Sequence, residues 1–184
     1  MLQPIQVILA AYNPEWPRIA AVHAERLQLL CSNLVAVHHV GSTAVPGLIA
    51  KPIIDLMPIV ASLTSLDEQR QSTEALGYRW HGELGIPGRR YCTLTDKDGI
   101  RVVQLHFFNT NSPHVERHIA FRDYLRAHPD EATAYAAEKR RAQNLHPVNS
   151  HAYADEKDKW IRTAETKALV WASTTSPRSD QISS

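Results

Sequence analysis

The segment LVAVHHVGSTAVPGLIAKPIIDLMPIV, residues 34–60, constrains the fold more than any other stretch of this 184-residue chain. An apolar run from Leu34 to Val40 ends in Gly41-Ser42. A turn punctuated by Pro46 and Gly47 follows, and a second apolar run carries one carboxylate, Asp55. Two apolar runs of strand length around a glycine-serine loop read as two strands of one sheet. Glycine lets backbone N–H groups approach an anion, and the serine hydroxyl adds a donor, so this layout suits a phosphate held beside a cation. A carboxylate among Ile53, Ile54, Leu56 and Met57 is costly unless it is paired, ligated or at the wet end of its strand.

The rest of the chain alternates in type and then changes character. Gln6–Tyr12 reads as a short strand. Asn13-Pro14 starts a helix that carries Trp16, Ile19, Ala20, His23, Leu27 and Leu30 at helical spacing. Leu34–Val40 and Pro52–Val60 are strands, with proline tolerated where it opens its strand. Ser65–Leu76 reads as a helix with a capping box of Ser65 and Glu68, stopped by Gly77. Tyr78–Trp80, Arg89–Thr95 and Ile100–Phe108 read as strands, the last two joined by a turn at Asp98-Gly99. Beyond Asn109 only helices follow, over Pro113–Ala127, Pro129–Gln143 and Ser150–Trp171. This order predicts an α+β fold: a mixed sheet covered by helices, with a C-terminal helical subdomain. Residues 1–171 form one domain, with a sheet part over 5–110 and a helical part over 113–171. The Ser/Thr-rich residues 172–184 read as a disordered tail.

Charge narrows the partners. Twenty basic against nineteen acidic residues give a net charge of +1, too little for a dominant nucleic-acid or membrane-surface field. No apolar run approaches the ~18 residues of a membrane span and no secretory leader is evident, so the expected location is cytoplasmic. Cys31 and Cys92 lack metal-like spacing and read as buried free thiols of a reducing compartment.

Several longer motifs resemble the GrpB-like family: YNPEWP, HVGSTAVPGLIAKPIIDL, ALGYRW followed by GELGIPGRRY, QLHFF, and FRDYLRAHPDEATAYAAEKR. The resemblance runs from about Tyr12 to about Trp160. It implies the nucleotidyltransferase fold of the DNA polymerase β-like superfamily, with Gly41-Ser42 as the glycine-serine loop and Asp55 as a strand carboxylate. It implies no established reaction. Some actinobacterial members are fused to dephospho-coenzyme A kinase, which points towards nucleotide or coenzyme A metabolism.

Nucleotidyl transfer in that superfamily uses two carboxylates at i and i+2 of one strand and a third on a neighbouring strand. Alternation puts the first two on one face, where they hold two divalent ions about 3.5–4 Å apart. Here Met57 occupies i+2, and a thioether does not ligate Mg²⁺. A single acid with an apolar residue at i+2 is usual for the resembled family. Asp55, Glu83 and His106 are the candidate catalytic and metal-ligating set, of a kind that suits Mn²⁺ or Zn²⁺, and the expected cofactor is one divalent ion, Mg²⁺ or Mn²⁺. The alternative pairs His106 with Asp55 inside the sheet. Gln104 shares the face of His106, where relatives often carry a first histidine, and lines the pocket with His39.

For phosphate the candidates are Gly41, Ser42, Lys51, Arg89, Arg90, Lys139 and Lys157. Adjacent strand residues face opposite ways, so at most one of Arg89 and Arg90 enters the pocket. Tyr135/Lys139 and Tyr153/Lys157 are i, i+4 pairs that recur in the resembled family. Packing of a snorkelling lysine on tyrosine is the structural alternative. Arg122-Asp123 reads as an ion pair, and His23, His114, His118, His128, His146 and His151 as surface. The expected function is metal-assisted transfer of a nucleotidyl group from a nucleoside triphosphate to an acceptor. The alternatives are a non-catalytic nucleotide- or coenzyme A-binding protein and an interaction domain without ligand. The expected partner is a small molecule, not nucleic acid or a membrane.

Overall fold

The computed structural model describes residues 3–175. Five strands form one mixed sheet: β1 (Leu34–Val40), β2 (Ile54–Val60), β3 (Arg79–Trp80), β4 (Arg90–Thr95) and β5 (Arg101–Asn109), in the order β1-β2-β5-β4-β3. Only β2 and β5 run parallel, placing Asp55 opposite Gln104. The β4–β5 hairpin turns at Asp98-Gly99, where Asp96 accepts from the amides of Asp98 and Ile100 and Gly99 adopts φ 76°.

Alternation divides the strands between two cores. One face buries Ile54, Leu56, Leu105 and Phe107 under α1 (Trp16–Leu30), α2 (Leu63–Glu68) and α3 (Arg70–Ala75). The other buries Val40, Met57, Ile59 and Phe108, with Val115 and Ile119 of α4 (Pro113–Ala127) packed against them. With α5 (Pro129–Leu145) and α6 (Ser150–Thr175), α4 forms the helical part. Prolines at the starts of α4 and α5 supply the fixed φ of a first helical position and lose no bonded N–H there.

Several expectations are corrected. Gln6–Tyr12 makes only an isolated bridge, Ala10 to Ala50. Its remaining groups serve the helical part: the Val7 amide donates to Pro147 O, its carbonyl accepts from the Gln143 amide, and its side chain packs on Ala142 and Tyr153. The predicted 65–76 helix starts earlier and breaks at Gln69. Its cap is Ser62, whose hydroxyl accepts from Ser65 N at 3.2 Å. Asn33 fixes that cap by accepting from Ser62 N at 3.1 Å. The chain enters β2 at Ile54, two residues after Pro52. Residues 172–175 continue α6 instead of opening a tail; the remainder of that tail lies outside the described residues. Cys31 and Cys92 are buried free thiols, as expected. Among the described residues no helix is long and apolar enough to cross a membrane.

Candidate functional site

Asp55 is the second residue of β2, near the end where the strand leaves the core, and its side chain is partly exposed. This is the wet end that a carboxylate in an apolar run requires. Gly41, immediately after β1, crosses directly over it. At φ 68° and ψ −169° Gly41 occupies a region restricted to glycine, and a Cβ there would lie 2.6 Å from Asp55 Oδ2. The Gly-Ser loop is therefore shaped by the acid beneath it. A short 3₁₀ turn, Ser42–Ala44, carries the chain onward towards Ala50 and Lys51.

Around this corner lies a cleft of about 230 Å³ lined by residues including Gly41, Ser42, Lys51, Asp55, Gln104, Lys139, Tyr153 and Lys157. The helical part supplies the last three. Lys139 and Lys157 are only 3% and 8% exposed, so neither snorkels to solvent. Each lies over the tyrosine one turn earlier, Lys139 Nζ at 4.9 Å from the Tyr135 ring and Lys157 Nζ at 4.2 Å from the Tyr153 ring. Lys51 Nζ lies 5.6 Å from the Tyr153 ring. Lys139 donates to Ile49 O at 2.8 Å. Among the described residues none of the three lysines forms an ion pair with a carboxylate. Glu138 of α5, which acts on Lys157 through its charge, is paired with Arg141 at 2.7 Å.

Burial sets the proton affinities. It brings Lys157 down to about 8, with repulsion from Lys51 adding to the effect and Asp55 and Glu138 opposing it. Lys139 falls well below the usual lysine range through burial first and the charge of Lys157 second. Lys51 is lowered by burial, against the pull of Asp55. The cleft thus contains more positive charge than the single carboxylate of Asp55 balances.

The neighbouring sheet surface orders Asp55. His106 Nε2 stands 3.5 Å from Asp55 Oδ1, while its Nδ1 faces Arg89 Nη1 at 3.4 Å. With the guanidinium donating to Nδ1, the ring carries its proton on Nε2 and presents it to the acid. Arg89 stacks on Tyr91 at 4.8 Å. The Tyr91 hydroxyl donates to Gln104 Oε1, which leaves the Gln104 amide nitrogen for the cleft.

The structure brings together Gly41, Ser42, Lys51, Asp55, Gln104, Lys139 and Lys157, with His106 behind Asp55. It does not bring Glu83 to that group. Glu83 sits in the loop before β4, where it accepts from Gly88 N at 2.7 Å and lies 3.6 Å from Arg90. Neither arginine lines the cleft. Arg89 takes the Asp55 face of the sheet, but its guanidinium is spent on the carbonyls of Glu83 and Leu84. Arg90 takes the other face and grips Asp67 with two bonds of 2.6 Å. His39 also faces away, bonding Thr43 Oγ1 at 2.9 Å, and burial holds its pKa at about 4. Of the histidines read as surface, His23 bonds the Tyr78 hydroxyl at 2.8 Å. His118, on the sheet-facing side of α4, packs against the rings of His106 and Phe108, also at a pKa of about 4 through burial. The Arg122–Asp123 pair is present at 2.7 Å, and Arg122 also donates to His39 O at 3.1 Å. Tyr91, Thr43 and Tyr153 escaped sequence reasoning as site residues. Only the Tyr153/Lys157 spacing signalled one of them.

The donor set does not fit the divalent ions that the nucleotidyltransferase resemblance implies. Met57, at the second-acid position, is 0% exposed and packed among Val40, Ile59 and Phe108. Among the described residues no three side chains of His, Cys, Asp or Glu gather as an ion would require. Asp55 and His106 are left as two donors, with three ammonium groups beside the cleft.

Comparison with known proteins locates this arrangement. The family model described as GrpB protein matches residues 6–167. The protein YqkA of Bacillus subtilis is 40% identical over 168 residues, which cover 91% of this chain and 48% of that protein. The chain therefore spans about half the length of this relative. The crystal structure of the conserved protein GrpB from Enterococcus faecalis superposes with a TM-score of 0.82 at 36% identity, covering 89% of this chain and 98% of that one. A protein named dephospho-CoA kinase from Mycolicibacterium paratuberculosis is 30% identical over 193 residues, 92% of this chain and 47% of that protein.

Proposed function

The chain belongs to the GrpB protein family, and from its cleft we propose that it binds a small phosphate-bearing molecule of the nucleotide or coenzyme A class. One observation carries the reading: Lys139 and Lys157 are almost fully buried, face the cleft beside Gly41-Ser42, and lack a carboxylate partner among the described residues. Burying an ammonium group without a counter-charge costs several kcal/mol. A phosphoryl group in the cleft would supply the missing charge, with the Ser42 hydroxyl and the Gln104 amide as additional donors. The similarity to proteins named dephospho-CoA kinase supports the coenzyme A class.

Nucleotidyl transfer is the second reading, favoured by Asp55 facing the cleft directly under the Gly-Ser loop. It ranks below binding because Met57 closes the position where the second acid would stand. Thermal denaturation with adenosine triphosphate, adenosine monophosphate and coenzyme A tests the first reading. A ligand at 100 times its Kd adds about 2.7 kcal/mol, or roughly 5–10 °C for a chain of this size. The shift should vanish in a Lys139→Met/Lys157→Met double variant. A wild-type protein that ignores all three ligands, or a double variant that shifts equally, would sink the proposal. Pyrophosphate released from adenosine triphosphate by the wild type would promote the second reading.

A further inference from the structure

Three features of the cleft bear on what kind of phosphate it takes and with what counter-charge. The first is a charge count. Lys51, Lys139 and Lys157 bring three positive charges in their protonated forms and Asp55 one negative, leaving a surplus of two. Glu138 and Glu156 stand outside the lining of the cleft and share Arg141, at 2.7 and 2.6 Å, so Glu138 acts on Lys157 only from beyond the cleft. The second is size: about 230 Å³ lies below the roughly 300–1,000 Å³ of sites that enclose a whole drug-sized ligand. The cleft accommodates a phosphoryl head group, with the remainder of the molecule outside. The third is the poverty of metal ligands. In a two-ion site carboxylates attract cations, and the cations neutralise the phosphate. Here the position of the second acid is apolar core and ammonium groups project into the space instead. A divalent ion brought in with the phosphate would meet Coulomb repulsion from three lysines and attraction from one carboxylate.

Resting on the binding reading above, we propose that the cleft captures a terminal phosphomonoester, as its dianion, without a divalent metal, with Lys51, Lys139 and Lys157 taking the place of the ions. A phosphomonoester carries about −1.5 to −2 charges at neutral pH and three acceptor oxygens, matching the surplus. A phosphodiester or an internal pyrophosphate linkage presents one charge per phosphorus and two free oxygens on each. The cleft therefore discriminates by the ionisation of the phosphate and not by the base or the organic tail. Magnesium in solution competes with the lysines for the phosphate and leaves binding unchanged or weaker.

The test is isothermal titration of the full chain with adenosine monophosphate and coenzyme A, which carry a phosphomonoester, against adenosine and dephospho-coenzyme A, which do not. Each titration is run in excess EDTA and again in millimolar magnesium. The expected result is binding of the first two in EDTA, at least tenfold tighter than the second two, with no gain on adding magnesium. Lys157→Met should lose tenfold or more in affinity for adenosine monophosphate. Lys51→Met, at a less buried position, gives the same readout should the Lys157 variant fail to fold. Binding that appears only with magnesium would overturn metal-free capture and leave the function intact. Dephospho-coenzyme A binding as tightly as coenzyme A would overturn the selection for a monoester. No binding of any of the four in either buffer would remove both this inference and the function on which it rests.

Discussion

Replacing Lys157 by methionine should make the unliganded protein more stable. The lysine has an ordinary pKa of 10.5, which burial lowers to about 8 in the folded chain. At 1.36 kcal/mol per pH unit, a separation of about 2.5 units costs about 3 kcal/mol of folding free energy while the lysine is charged in both states. Methionine fills much of the same volume and keeps contact with the Tyr153 ring, but loses a cation–π contact at 4.2 Å worth about 1–2 kcal/mol when desolvated. The net expectation at pH 7 is a gain of about 1–2 kcal/mol, roughly 2–8 °C in Tm. The value of about 8 already includes the repulsion from Lys51 and the attraction to Asp55 and Glu138, so neither enters the sum again. The sign with pH follows from proton counting. Below about pH 8 the penalty is complete. From about pH 8 to 10.5 the unfolded chain holds the extra proton, so the wild type gains stability as pH rises and the advantage of the variant closes. Urea unfolding of both proteins at pH 7 and pH 10 measures this. A variant less stable than wild type at pH 7, or a difference that does not move with pH, would refute the assignment of Lys157 as a buried, uncompensated cation.

Two further outcomes are expected. Gly41→Ala, at a glycine-only φ/ψ and with its new Cβ 2.6 Å from Asp55 Oδ2, should cost about 1–3 kcal/mol in urea unfolding and displace the acid; a cost under about 0.5 kcal/mol would mean the loop relaxes freely. Burial holds His118 at about 4 against an ordinary 6.5, so the unfolded chain takes the proton first as pH falls from 6.5 to 4, and stability should fall by up to about 3 kcal/mol over that window. A His118→Gln variant should show a shallower acid limb, and an unchanged limb would assign the acid sensitivity elsewhere.

The helical part was legible because its signals are local. Pro113 and Pro129 mark helix starts, and the Asp98-Gly99 turn marks a hairpin, so those elements fall where the residues place them. The place of Asp55 was legible too, because a lone acid in an apolar strand has few tolerable locations. What escaped depends on tertiary packing. Nothing in the spacing of Lys139 and Lys157 on two different helices says that both turn inward to one corner; the packing of α5 against α6 and the 41–50 loop decides it. Glu83 was drawn towards the site by its neighbourhood in the sequence, yet a loop amide and Arg90 claim it. The parity rule for Arg89 and Arg90 held, but which backbone carbonyls absorb the inward guanidinium is invisible in a string of residues. The Ser62 cap was missed because Ser65 offered an equally good local pattern, and Asn33, distant in sequence, broke the tie.

The manner in which the helical part holds the loop across the cleft has a consequence for how the loop tolerates change. Arg122 donates to the carbonyl of His39, Arg126 to that of Ala44 and Lys139 to that of Ile49. All three grips are on peptide oxygens, which every residue possesses. The loop is therefore indifferent to much of its spelling and intolerant of a change in its length. A substitution at exposed Pro46 leaves all three oxygens where they are, whereas inserting or deleting one residue between Ala44 and Ile49 pulls the Arg126 and Lys139 grips out of register, and losing the second leaves buried Lys139 without its carbonyl.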